Sequence, residues 1–444
     1  MNLFWKKVFG GLTSTEKLEK EEEALLLAYK RYCDIETSEQ LAEYTRLFHL
    51  VKAADFKEKK KTLQNRKFKD TEEYRDFRKY EKLHNSANIK LYYQVLDSSQ
   101  LKEFLTFKET KDYEKLGHPK EVKTDATLQK FKAYEKSKPY KNYIRFHKSF
   151  VISEYEKLKE LVAKPEFIKS KAYWEDNNRW LKTEEYKIEQ RYYELQKTPD
   201  IAFYEATDPK KFKVLDEWSL TFQDDFTGSS LDAKWKNGYY HRAEALKKIY
   251  SFSNEKQANT DGKNITVASS HLVINTLPEK KESLAWDVEN GFVKKSFDFT
   301  SGIVNTGEAF QQKNGLIKAK LRTKGSADVS HAFWLGTDGK LPHINVFYFD
   351  GKTISVNNYA KDGTSVSISK ETVKGISSTD FYIYSLEWTP TELVWKINNV
   401  EVYRVSKSIP QQSMFPVFNS FISEKQKGGS GTLEVDWIKV YTKK

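Results

Sequence analysis

A chain of 444 residues has room for two or three domains, and its 38% hydrophobic content is low for one large globule, although 14% aromatic residues partly compensate. The single cysteine, Cys33, excludes an internal disulfide and a site built from several thiolates, and it reads as a small apolar residue on a helix. Most of the net charge of +12 lies in residues 1–213, at +9 against +3 for 214–444, but acids are interleaved with the bases throughout, the pattern of a solvated helix surface rather than of a nucleic-acid face.

The chain opens with a short aromatic-basic stretch, Met1 to Leu12, broken by Lys6 and Lys7. It is too short for a signal sequence or a membrane span, and no later window holds 18 apolar residues. The expectation is a cytoplasmic protein without a transmembrane segment. Export by another route and assembly into a larger particle stay open, as does weak contact of this stretch with a membrane surface. Ser14-Thr15-Glu16 caps a helix running to Tyr32, which makes residues 1–35 an N-terminal helical element. Thr37-Ser38-Glu39 caps the next helix, with Leu41, Tyr44, Leu47 and Leu50 assigned to one face.

Residues 36–213 read as a helical repeat region. Glu73-Tyr74, Tyr80, Leu83, Ile89 and Tyr92 recur as Glu185-Tyr186, Tyr192, Leu195, Ile201 and Tyr204, and a weaker copy around Tyr134, Tyr143 and Phe146 makes the period about 54–58 residues. Repeats of this length stack helical hairpins that cannot bury their faces alone. The recurring tyrosines are therefore expected to pack rather than bind ligand, and the region is expected to dock a protein partner that the sequence does not identify.

Near residue 214 Gly, Ser, Thr, Val and Asn rise and period-2 patterns begin, which sets a boundary between an all-α region and an all-β domain at 214–444. Turn signals at Thr227-Gly228-Ser229-Ser230, Asp261-Gly262, Asp338-Gly339, Asp350-Gly351, Asp362-Gly363 and Gly428-Gly429 separate about a dozen strands. Such spacing with no helical period implies a β-sandwich or jelly-roll.

Several segments then become specific. Phe222-Gln-Asp-Asp-Phe-Thr-Gly-Ser-Ser-Leu-Asp-Ala-Lys-Trp235, Ser301-Gly302 with Gly315-Leu-Ile-Lys-Ala-Lys320, His331-Ala-Phe-Trp-Leu335, Phe381-Tyr-Ile-Tyr-Ser-Leu-Glu-Trp-Thr-Pro390 and Val435-Asp-Trp-Ile-Lys-Val-Tyr441 resemble, in order, the motifs of glycoside hydrolase family 16, the laminarinase family. The resemblance covers about 218–444. It implies a concanavalin A-like jelly-roll, two antiparallel sheets with a glycan-binding groove on the concave face, and nothing about the helical half.

The family's catalytic strand reads Glu-Ile-Asp-Ile-x-Glu. Here the matching stretch is His343-Ile344-Asn345-Val346-Phe347-Tyr348, followed by Phe349-Asp350-Gly351. The resemblance places His343 at the nucleophile, Asn345 at the assisting Asp and Tyr348 at the acid/base. A retaining glycosidase needs two carboxyl groups about 5 Å apart, and none of the three residues supplies one. Asp350 could turn back into the groove or could be the first residue of a hairpin turn. His343 could act as base to Tyr348, without a visible carboxylate partner. Lys318, matching a family Glu on a neighbouring strand, again removes negative charge.

Candidates for stacking on sugar rings are Trp334, Trp286, Tyr239 and Tyr240, with His343, Asn345 and Tyr348 as polar contacts. The family often holds a structural calcium, and Asp225 and Asp436 match its acidic positions. Otherwise no cofactor is expected. The residues carry no Walker loop, dinucleotide fingerprint, zinc-protease motif or nucleophile elbow. The leading expectation is a non-catalytic, carbohydrate-binding pseudoenzyme domain behind a partner-docking helical region, with a polysaccharide or glycan as ligand and no nucleic acid. The alternatives are an active β-glucanase or galactanase with displaced catalytic groups, acting in carbohydrate metabolism, and an assembly protein with a decorative jelly-roll.

Overall fold

The computed structural model describes residues 1–362 and 365–444, so the turn expected at Asp362-Gly363 lies outside the described residues. The chain divides into two compact units, one joining Met1–Cys33 to Thr207–Lys444 and the other comprising Asp34–Ala206. Residues 1–33 of the N-terminal helical element thus group with the β unit, and the helical unit is inserted in sequence between them and the first strand.

The reason is burial. Leu3 is fully buried and Leu12 nearly so, both within the main core of the β unit. Leu3 N–H donates to the Lys374 carbonyl at 2.7 Å, and Thr15 Oγ1 donates to the Phe381 carbonyl at 2.7 Å. Along the helix Thr15–Glu36, Leu18 packs with Ile383 and Trp437. The Glu19 carboxylate accepts from Lys320 Nζ and Trp437 Nε1, both at 2.9 Å, and Glu22 accepts from Lys318 Nζ at 2.8 Å. Where the chain returns from the helical unit, the Phe212 ring lies 5.3 and 5.4 Å from Tyr29 and Tyr32, and Tyr29 Oη donates to Asp216 at 2.5 Å.

The helical unit is built on paired tyrosines. Helix Glu39–Lys52 packs on Glu184–Gln196, with Tyr44 and Tyr192 stacked at 5.4 Å. Helix Glu72–His84 packs on Phe150–Ala163, with Tyr80 and Tyr155 stacked at 5.9 Å. Helix Ala87–Leu96 packs on Lys138–Phe146, with Tyr92 and Tyr143 stacked at 6.0 Å. Stacked aromatic pairs add to ordinary burial by about 1 kcal/mol each. Ser38 caps the helix Glu39–Lys52 as expected, its Oγ accepting from Leu41 N–H at 3.1 Å. Leu41, Tyr44 and Leu47 are buried, but Val51 rather than Leu50 completes the face. Nine residues at about 100° each carry Leu50 to the side opposite Leu41.

In the β unit two sheets face each other. The groove sheet runs, strand by neighbouring strand, Ser365–Val373, Ile354–Asp362, His343–Phe349, Ser330–Gly336, Phe415–Phe421, Ile303–Asn305 and Lys236–Asn237. The outer sheet runs Val400–Val405, Leu393–Ile397, Tyr382–Trp388, Gly315–Gly325, Gly431–Lys443, His271–Thr276 and Ile265–Ala268, and Trp218–Asp224 also pairs with Gly431–Lys443. Every pairing within both sheets is antiparallel. Alternation sends Phe333, Leu335, Ile344 and Phe347 from one sheet against Ile317, Leu321, Leu386 and Trp395 from the other, forming one core. The chain is thus an α-helical unit inserted into an antiparallel jelly-roll sandwich.

The strands outnumber the expected dozen because short pieces such as Tyr250–Phe252 and Gln257–Asn259 form small side sheets that periodicity over a few residues does not reveal. Gly351 has the φ of +91° expected of its turn, and a Cβ there would meet the Ala327 carbonyl oxygen at 1.8 Å. Asp350 does not share the positive φ. Its carboxylate holds the turn instead, accepting from Lys352 and Thr353 N–H at 2.9 and 2.7 Å.

Candidate functional site

The strand His343–Phe349 is not regular. Trp334 pairs with Asn345 while Phe333 pairs with Phe347, so Val346 is an extra residue on this strand. The neighbouring strand shows the same slip, Asn345 opposite Asn357 but Tyr348 opposite Ser355. Strict alternation would send Tyr348 to the face opposite His343 and Asn345. The bulge restores it, and all three line one groove of about 1000 Å³. Ile344, Val346 and Phe347 go to the core.

On the groove floor the Trp334 ring stacks on His343 at 4.4 Å, and Trp334 Nε1 donates to Asn419 Oδ1 at 3.0 Å. Its neighbour Phe333 goes to the core, as alternation requires. Gly336 makes room for the indole, since a Cβ there would come within 2.5 Å of it. His343 Nε2 contacts Asn345 Oδ1 at 3.0 Å. Burial between Trp334 and Tyr359 pushes the His343 imidazole down to about 4, so it is neutral at pH 7. Burial pushes the Tyr348 phenol up, which keeps it protonated.

The walls come from elsewhere. Trp286, on the strand Lys281–Asp287, packs edge-on against Phe292 at 4.8 Å. Tyr239 lies 4.9 Å from Phe252 and 5.1 Å from Tyr250, and Tyr240 packs edge-on against Phe415 at 4.9 Å. All four expected aromatic candidates therefore line the same groove.

One lining residue carries a carboxyl group, and sequence reasoning missed it. Glu255 is 8% exposed, and its Oε2 accepts from Phe252 N–H at 3.0 Å. Burial pushes this carboxyl up to about 7, against the hydrogen bond from Phe252 N–H and the attraction of Lys295. Asn254-Glu255-Lys256 reads in sequence as an ordinary polar turn, so nothing in the pattern marked it. Lys340 and Lys370, also lining and also missed, add positive charge.

Other expectations are corrected. Lys318 is not in the groove: it lies on the outer sheet, bonded to Glu22, because alternation on Gly315–Gly325 turns it away from the core between the sheets. Of the two readings of Asp350, the hairpin turn is the one observed, its carboxylate bonded to Lys352 and Thr353. The calcium expected at Asp225 and Asp436 does not fit their surroundings. Asp436 Oδ2 is bonded to Lys320 Nζ at 2.6 Å, Asp225 is exposed, and among the described residues no cluster of three or more His, Cys, Asp or Glu could hold a metal ion. Nor is a helix among the described residues long and apolar enough to cross a membrane.

Fold and groove together define a jelly-roll sandwich whose open face is lined by aromatic and polar side chains. The family model described as "Glycosyl hydrolases family 16" matches residues 249–439, inside the β unit, so the family resemblance read from the motifs holds for that unit. No family model matches the helical half. Solved structures similar to the chain include the catalytic domain of an endo-1,3-beta-glucanase (laminarinase) from Thermotoga petrophila RKU-1, at 19% identity and TM-score 0.41 over 52% of this chain and 99% of that one. LamAcat from Zobellia galactanivorans is similar at 18% identity and TM-score 0.40, over 50% and 98%. The kappa-carrageenase from Pseudoalteromonas carrageenovora, in complex with an oligotetrasaccharide of kappa-carrageenan, is similar at 16% and TM-score 0.41, over 51% and 96%. A search of curated proteins found no match.

Proposed function

We propose that the β unit is a non-catalytic, glycan-binding member of the family 16 fold, carried by a chain whose helical unit docks a protein partner. The observation that carries this reading is the lining of the groove. His343, Asn345 and Tyr348 face it from the strand where a retaining enzyme would present its carboxyl pair, and Glu255 is the one carboxyl group among the lining residues. Hydrolysis with retention needs two carboxyl groups about 5 Å apart, and inversion needs two about 6.5–9.5 Å apart. The aromatic rings and neutral hydrogen-bonding groups that remain suit stacking on sugar faces and bonding to hydroxyls.

Titration calorimetry of the full chain with β-glucan and galactan oligosaccharides tests the proposal, run beside an assay for new reducing ends. The expected outcome is binding without cleavage. Absence of binding to every glycan leaves the groove a structural relic. A steady release of reducing ends favours the second reading, a hydrolase with displaced groups, for which the specific observation is Glu255, a buried carboxyl with the raised protonation range of a general acid.

The helical unit supports a repeat reading. Tyr80 and Tyr192, 112 residues apart, each stack on a tyrosine of the helix packed against their own, Tyr155 and Tyr44 respectively. A pull-down with residues 34–206 as bait, or light scattering of the full chain, tests the partner. A lone monomer with nothing bound counts against docking and against assembly alike.

A further inference from the structure

We infer that the groove selects polyanionic glycans, sugar chains bearing sulfate or carboxylate groups, through Lys340 and Lys370. The inference rests on the glycan-binding reading and names the class of ligand. Lys340 lies on the loop that leads into the strand His343–Phe349, three residues before His343, and it lines the groove. Lys370 lines it from the strand Ser365–Val373. It sits opposite Asn357, which sits opposite Asn345 and then Trp334, so one cross-strand row leads from the stacking indole to the ammonium group. At ordinary strand spacing Lys370 stands roughly 10 Å from Asn345, about two sugar-facing positions along the floor.

Neither lysine has an ion pair among the described residues. Asp350, whose carboxyl Lys370 helps to hold down, is committed to the backbone N–H groups of its own turn. His343, Asn345 and Tyr348 carry no charge at neutral pH, and Glu255 is buried against Phe252 N–H. The groove offers two ammonium groups beside a Trp platform, so an anion on the sugar meets a cation near where the ring stacks.

Calorimetry on the full chain at 150 mM salt tests the inference. Neutral laminarin and agarose oligosaccharides are compared with sulfated laminarin and carrageenan oligosaccharides, and with oligogalacturonate as the carboxylate arm. A charged chain is expected to bind at least ten-fold more tightly than its neutral counterpart. The arm that gains more identifies the anion. Lys340→Gln with Lys370→Gln is expected to weaken charged chains at least ten-fold more than neutral ones, while Trp334→Ala weakens both. Both lysines are exposed, so the thermal midpoint of the double variant stays where it was.

Equal affinity for neutral and charged chains overturns the inference and leaves the glycan reading standing. So does a preference that falls as much with Lys280→Gln and Lys281→Gln, exposed lysines outside the groove, because overall charge alone would then explain it. No binding to any oligosaccharide removes both readings together.

Discussion

Glu255 gives the groove a measurable pH signature. Its carboxyl is raised from 4.5 to about 7 by burial. A raised carboxyl favours the folded state fully below its unfolded value and loses that contribution as pH rises through about 7. His343 and His331, pushed by burial to about 4 and about 3, act in the other direction and withdraw stability as pH falls from 6.5. The difference between the native chain and Glu255→Gln isolates the carboxyl. Between pH 5 and 8 the native β unit is expected to lose up to roughly 3 kcal/mol relative to the variant, read from denaturant midpoints at each pH. Trp334→Ala, which removes an indole packed on Ile303, Phe415 and Val417 but outside the main core, is expected to cut glycan affinity by about ten-fold or more in calorimetry, since aromatic anchors dominate such sites. At this scale motif alignment placed the strand residues that line the groove but not Lys318, Asp225 or Asp436, whose motifs fixed position along a strand and not the partners there. His343, Asn345, Tyr348 and Trp334 were placed by neighbours that match a family pattern. Glu255, Lys340 and Lys370 come from turns and an edge strand, where local pattern does not say which way a side chain faces.

The bulge at Val346 is the element that decides which side chains face the groove. One extra residue on the strand turns Tyr348 to the side shared by His343 and Asn345. Because the backbone already presents the three positions, His343→Glu, Asn345→Asp and Tyr348→Glu together are expected to raise reducing-end release from laminarin above the native background. A silent triple variant would show that the surrounding groups do not support hydrolysis even with carboxyl groups at these positions. The N-terminal segment makes a second test. Leu3→Ala leaves a hole in the main core and is expected to cost about 2–4 kcal/mol in chemical denaturation. Glu19→Gln with Glu22→Gln, whose partners Lys320 and Lys318 are largely covered, is expected to cost about 1–2 kcal/mol, discounted for the partial exposure of both acids. Sequence alone located this helix through its cap, but not its destination. The bonds that hold it join residues about 300–400 positions apart, beyond any local period.

For the whole molecule, two composition zones announced two folds, and the resemblance announced the sandwich. What composition could not show is that the β unit owns both ends of the chain, because residues 1–33 share their helical composition with the inserted unit. The chain leaves and re-enters the β unit where Tyr29 and Tyr32 meet Phe212. Replacing residues 34–206 by a short Gly-Ser linker is therefore expected to leave a folded sandwich with unchanged groove binding, and calorimetric scanning should lose one transition. The pairing of the first long strand with the last, Trp218 opposite Lys443, also bears on synthesis. As the ribosome extends the chain, the inserted helices are complete and free to fold after about half of it has emerged, while Leu3 and the strand from Trp218 must wait for partners near residue 374 and at the very end. A nascent chain stalled ten residues short of Lys444 should show protease-resistant helices beside an unfinished, protease-sensitive sandwich.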